Sequence, residues 1–469
     1  MKAAPTINNA LRGIAGIALL AVAGIAQANP TAPVVVSGTA TFATSGNLLN
    51  VTNSTNAIIN WNSFSIGVGE LTRFIQPSAA SAVLNRVTGQ DPSAILGALQ
   101  SNGRVFLLNP NGIVFGAGSQ VNVAGLVAST LALSDADFLA GRLRFTGVAN
   151  AGTVVNQGAI TAASGGQVYL VGSGVTNSGV ITAPSGEVVL AAGNSVELVD
   201  PGTPNLRVEI VAPDNEARNL SMIAAESGRV GIYAGLIHHA GTVQANTAVS
   251  QSGRILLKAT RRVVLANGSL LSAAAPNGGN GGFIETLAEE ITVAENATIS
   301  AAAPLGQSGT WLLDSSEANS SAGNIAINGT PIVMTSGNIT ISTSVVNWNG
   351  GNITLAPSHT SGVSLSGGNI AINGGTITVA SGNITLNGGG VTVAGAGAPS
   401  PAAVGGSELW RTARENSTFN GTLQRIPGAI LTLQGVLLPA GNFLSPLQAP
   451  VFASRPGLRV EMGNRSAVP

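Results

Sequence analysis

Side chains suited to chemistry are sparse in this chain. Asp135 and Asp137 stand two apart, as a pair serving general acid–base chemistry on a polysaccharide would if both faced one groove. On a strand edge or loop they read as a solvated surface pair. Asp200 sits in Asp-Pro-Gly, a turn sequence. His238 and His239 are adjacent, so a strand points them to opposite sides, and no third metal ligand lies near them in sequence. Pro276–Phe283 has the glycine richness of calcium-binding repeats without their aspartates, and reads as a loop. Asn338, Asn352 and Asn383 open Asn-x-Ser/Thr sequons. No nucleophile triad, phosphate loop or dinucleotide fingerprint is present, so neither enzymatic activity nor a cofactor or metal is expected.

The elements available to position these residues are short strands. Charged residues make up 9% of the 469, against roughly 25% in an ordinary soluble domain, while hydrophobic residues reach 44%, which argues against disorder. The 62 glycines punctuate runs of Val, Ile, Leu and Thr, the composition of strands joined by tight turns. The 20 basic and 20 acidic residues balance, so no basic stripe invites nucleic acid and no cationic amphipathic helix invites a membrane surface. No Cys is present, which excludes disulfides and thiolate metal sites. Residues 1–28 read as a secretory signal peptide: Lys2 and Arg12 are the basic region and Ile14 to Ile25 the apolar stretch. Ala26-Gln27-Ala28 supplies the cleavage site.

Two repeats set the architecture. Val154–Ala162 recurs as Val175–Ala183, 21 residues on, and Gln167–Val171 recurs as Glu187–Ala191, 20 residues on. Weaker echoes follow at Ala240–Ala245 and Arg254–Leu257. A period of about 20 residues holding two or three short strands is one coil of a parallel β-helix. Gly-Asn-Ile then recurs from Gly323, Gly337, Gly351, Gly368 and Gly382, with apolar residues alternating behind it. Stacked Asn side chains at equivalent turns could share amide hydrogen bonds along the axis. Taken as solenoid throughout, residues 29–395 would make roughly 18 coils of about 20 residues. The β-branched segment 29–60 is expected to cap the first coil against edge pairing. Gly395–Gly406 marks a break, and residues 396–469 form a linker and tail.

The most informative stretch is Arg104–Gly116. An apolar strand runs into Asn109-Pro110-Asn111-Gly112, a strong turn signal, and a second strand starts at Ile113. On these residues the chain resembles the N-terminal secretion domain of the filamentous haemagglutinin family, the exported partners of two-partner secretion systems. Asn109-Pro110-Asn111-Gly112-Ile113 matches that family's best-known motif. Trp61, Asn62 and Phe64 within Ile59–Ile66, and Asn85 and Arg86 before Val87, match its upstream pattern. Gln120–Thr130 and Gly309–Asp314 resemble later passages, so the likeness spans about residues 29–315.

The resemblance implies a right-handed parallel β-helix with an N-terminal cap. It also implies a secretion domain over residues 29–290, a Gly-Asn-Ile extension over 291–395, and export through a partner outer-membrane β-barrel of the TpsB type with periplasmic POTRA domains. Asn109–Ile113 would help set the secretion-competent domain. The expected role is adhesin or attachment factor at the cell surface or released, with a host glycan or protein as receptor and no stable membrane insertion. The alternatives are a β-helical carbohydrate-active enzyme, a haem- or haemolysin-related member of the same secretion family, and a shortened relic of a longer adhesin.

Overall fold

The computed structural model describes residues 29–199, 206–247, 251–294, 297–307 and 309–312 with their side chains, and strand backbone within 313–434. Residues 1–28, Asp200, Asn352 and most of residues 396–469 lie outside the described residues. Inside them the chain winds into a parallel β-helix with three strand faces. Face 1 stacks Ala57–Trp61, Ala82–Val87, Arg104–Leu108, Gly125–Ser129, Gln167–Gly172 and Glu187–Ala192. Face 2 stacks Ser93–Ile95, Ile113–Phe115, Val154–Asn156, Val175–Asn177 and Glu216–Asn219. Face 3 stacks Leu48–Asn53, Leu71–Ile75, Ala98–Ser101, Gln120–Val123, Ala159–Ala162 and Val180–Thr182.

The sequence repeats are the coil registers. Val154 pairs with Val175 and Ile160 with Ile181, while Gln167–Gly172 pairs residue for residue with Glu187–Ala192. Coils then lengthen: Val230 pairs with Ile255, and Ile255 with Ile284. The rod therefore holds fewer turns than a uniform 20-residue period implies. There, single strands such as Arg229–His239 and Arg254–Leu265 run through faces 1 and 2, with the bend taken up as a register shift at Ala234/Leu236. Parallel pairing continues from Phe283–Val293 into Thr310–Ser321 and beyond.

The Gly-Asn-Ile motifs do not stack Asn on Asn. Asn324 pairs with Val345, and Val345 in turn with Asn369. Ile332 pairs with Ile353, so a coil here is 21 residues and a 14-residue spacing is two-thirds of it. Successive motifs consequently open strands on different faces: Asn324–Asn328 on face 3, Asn338–Ser342 on face 2 and Ile353–Leu355 on face 1.

One apolar column fills the interior, because alternate residues of each strand point inward. Face 1 also buries its outer side. Ile58, Leu84, Phe106, Val127, Tyr169 and Val189 point outward into a second apolar cluster. Two insertions cover them. Ala132–Leu133 and Leu143–Thr146 come from one coil, Ser195–Val199 and Arg207–Val211 from a later one, and together they form a four-stranded antiparallel sheet. Strands covered on both sides carry unbroken apolar runs, as Arg104–Leu108 and Glu187–Ala192 do.

Asp135 and Asp137 lie in the first insertion, in the opening turn of a short helix, Asp135–Leu139, rather than on a strand edge or loop. Ser134 precedes them as the capping residue, its Oγ accepting from the Asp137 N–H at 3.1 Å. At the N-terminal end, Val34–Ser37 runs antiparallel to Ala57–Trp61, and Ala40–Ser45 antiparallel to Leu48–Asn53. These reversed strands form the cap. Pro276–Gly282 forms turns before the strand that starts at Phe283.

Candidate functional site

Asn109–Gly112 is the corner between face 1 and face 2. Pro110 fixes its own φ and lacks an N–H, leaving its carbonyl to accept from Gly152 N–H of the next coil at 2.7 Å. Gly112 adopts φ +126°, disfavoured for a side-chain-bearing residue, although a Cβ there would meet nothing closer than 3.6 Å. Conformation, not space, requires this glycine. The corner is also pressed closely: a Cβ on Gly152 would come within 2.6 Å of the Asn111 carbonyl oxygen.

Asn109 is fully buried and its amide is fully used. Nδ2 donates to the Asp91 carbonyl at 3.0 Å and to Ser93 Oγ at 2.9 Å, both in the preceding coil. Oδ1 accepts from the backbone N–H and the Nδ2 of Asn111 at 3.0 and 3.1 Å. The Asn109 N–H donates forward to the Ser129 carbonyl at 3.0 Å. Asn111 is exposed, and its Nδ2 donates to the Gly89 carbonyl at 2.9 Å. Ile113 is buried and donates to the Thr153 carbonyl. One four-residue turn therefore ties three coils together.

The upstream residues reach the same corner one and two coils earlier. Asn62 is exposed, and its carbonyl accepts from Gly89 N–H at 3.1 Å; Gly89 in turn holds Asn111. Trp61 and Phe64 turn inward and are buried. They continue an aromatic plug: Phe42 meets Trp61 edge-on at 5.5 Å, Trp61 meets Phe64 edge-on at 5.6 Å, and Phe64 stacks on Phe74 at 6.3 Å. The Trp61 indole N–H donates to buried Asn85 Oδ1 at 2.9 Å, and Asn85 Nδ2 donates to the Phe106 carbonyl at 3.1 Å. Arg86 points the other way. Its Nη2 donates to Asp135 Oδ1 at 2.5 Å and to the Leu133 carbonyl at 3.0 Å, tying the first insertion to face 1.

Carboxylates elsewhere have separate partners. Asp137 is held below the usual carboxylate range, first by the hydrogen bond from Arg142 and then by Ser134. The hydrogen bond from Arg144 likewise lowers Glu197. Buried Glu187 accepts from Tyr169 Oη at 2.5 Å and lies 3.3 Å from Arg229. Asp135 and Asp137 thus face different arginines and do not converge on a shared groove.

Sequence reasoning missed the insertion sheet and a buried polar column on face 2. Asn156 Nδ2 donates to Asn177 Oδ1 at 2.8 Å, and Asn177 Nδ2 to Asn219 Oδ1 at 2.8 Å. The signal was present, because Asn156 and Asn177 hold the same place in the 21-residue repeat.

A family model of the TPS secretion domain matches residues 26–272, more than half of the sequence. The chain belongs to the TPS secretion domain family. Among solved structures, the secretion domain of HMW1 from Haemophilus influenzae superposes with a TM-score of 0.62 at 29% identity, covering 76% of this chain and 100% of that one. Two heme/hemopexin-binding proteins of Haemophilus influenzae are 44% identical over 102 residues and 46% identical over 77. The matched stretches are 22% and 16% of this chain, and only 11% and 8% of those relatives. The chain thus carries the secretion domain of two-partner secretion exoproteins, a family whose members are secreted across the outer membrane to the cell surface.

Proposed function

We propose that the Asn109–Ile113 corner makes the domain competent for secretion by holding three coils in register, with Asn109 never touching the transporter directly. The burial of Asn109 with every amide hydrogen bond satisfied carries this reading, since a contact residue must present free donors or acceptors. The exposed neighbours Asn111 and Asn62 are the members of the motif set available to the transporter's periplasmic POTRA domains. Cleavage of the leader after Ala28 precedes that encounter. Outside the cell the rod acts as an attachment factor, its long faces of short side chains offering extended contact to a host glycan or protein.

The relatives' names favour a second reading, capture of haem or hemopexin. His239 is a poor iron ligand as it stands, since both ring nitrogens already have hydrogen-bond partners. A Soret shift on adding haem to the purified protein, abolished by unfolding, would support haem capture over simple attachment.

The secretion test compares medium and periplasm of a Gram-negative host with and without the cognate transporter. Release into the medium is expected only with the transporter. Asn109→Ala should reduce release in proportion to its loss of stability, and Asn111→Ala should leave stability nearly intact. Equal release without any transporter would overturn the export reading. Loss of release in an Asn109→Ala protein of wild-type stability would overturn the structural role of Asn109.

A further inference from the structure

The polar column on face 2 has a direction and an end. Asn156 Oδ1 accepts from Gly158 N–H at 3.1 Å. Each amide then donates to the next coil, from Asn156 to Asn177 to Asn219, and Asn219 Nδ2 lies 3.2 Å from His239 Nδ1. His239 Nε2 lies 3.2 Å from the Leu270 carbonyl, which can only accept. Nε2 therefore carries the proton, and Nδ1 is the acceptor that closes the chain. In register, the same interior position reads Phe115 before Asn156 and Leu265 after His239, so apolar residues bound the column at both ends.

A second proton on His239 would place a donor at Nδ1 against the donor Asn219 Nδ2. Turning the Asn219 amide relieves that clash but costs its contact with the Thr242 carbonyl, and passes the conflict to Asn177. Turning Asn177 costs its contact with the Met222 carbonyl, and turning Asn156 sets its NH2 against Gly158 N–H. One protonation is thus felt across three coil interfaces, with no arrangement that satisfies every group.

Among the described residues, the surroundings supply no counter-ion. The preceding strand brings Glu216 and Arg218, and the following one brings Arg261 and Arg262, all exposed. His238, beside His239, points outward in register with Arg218. Thr242–Gln244 and Leu270–Ser272 carry no ionisable side chain.

We propose that His239 and the Asn156–Asn177–Asn219 amides form an acid-sensitive latch that locks four coils of the rod in register while the imidazole is neutral and releases them when it is protonated. Burial holds the His239 imidazole down to about 4, from an ordinary value of 6.5. The neutral state is then the folded state's preference, so stability is complete above the unfolded value and falls as pH drops from about 6.5 towards 4.

The test is denaturant unfolding of the full chain between pH 7.5 and 3.5, for wild type and for His239→Asn, which keeps an amide in the column with nothing to titrate. The unfolding constant of the wild type should gain up to roughly 300-fold more than the variant's on acidification, the ratio set by that pKa difference. Equal pH dependence in the two proteins would overturn the proposal. Should His239→Asn fail to fold, 15N NMR of the wild-type imidazole decides. A protonated Nε2 with an acceptor Nδ1, titrating well below 6.5 together with the Asn219 and Asn177 side-chain amides, supports the latch. Titration near 6.5, or without those amides, removes it.

Discussion

Replacing Asn109 by Ala deletes two donated and two accepted hydrogen bonds at a site with no exposure to solvent. The expected cost is about 2–4 kcal/mol, because Ser93 Oγ and the Asn111 N–H lose their partner. Asn111→Ala removes one amide at the surface and should cost about 1 kcal/mol or less. Denaturant unfolding of the two variants side by side measures the difference. Trp61→Phe keeps the aromatic plug but leaves buried Asn85 Oδ1 without its indole donor, for about 1–3 kcal/mol. At this scale the sequence was a good guide to position and a poor one to role. Asn-Pro-Asn-Gly announced a turn, but nothing in it showed that Asn109 points inward. That depends on Asp91 and Ser93, a coil earlier, whose alignment only the stacked register supplies.

The same contrast holds for elements. Coils over 154–192 were legible because their strands repeat at the spacing that becomes their pairing register. The insertion sheet was hidden, since Leu143–Thr146 and Ser195–Val199 pair across about fifty residues of intervening chain and have no internal repeat. Its trace was the unbroken apolar run on face 1, which shows that both sides of a strand are covered without showing by what. Phe145 is the insertion's buried aromatic on that sheet, so Phe145→Ala should cost about 3–5 kcal/mol by unfolding and increase hydrophobic-dye binding. Arg86→Ala, by contrast, breaks a partly exposed pair with Asp135 and a hydrogen bond to the Leu133 carbonyl, and should cost about 1–2 kcal/mol in the same assay. The helix at Asp135 was read as a strand edge or loop because Ser134 caps it locally, an effect that alternation cannot register.

For the molecule as a whole, a rod whose parallel strands pair only with the coil on either side gains stability rung by rung. Its first rung is sealed by antiparallel strands and an aromatic plug, which leaves growth in one direction only. The Gly-Asn-Ile repeats fit this scheme once their spacing is set against the coil, since a two-thirds step visits every face in turn. The insertion sheet adds a matter of timing. Leu143–Thr146 precedes its partner Ser195–Val199 by about fifty residues, so a chain exported N-terminus first delivers it well ahead of that partner. During that interval Leu143 and Phe145 have no cover, and Phe106 and Tyr169 on the rod share the exposure. A fragment ending at Ala192 should therefore aggregate, whereas one extended past Ala212 should be soluble, as sedimentation of the two would reveal. The clasp closes only when its second half arrives, so the passage of the chain out of the cytoplasm sets the earliest moment at which this domain can finish folding.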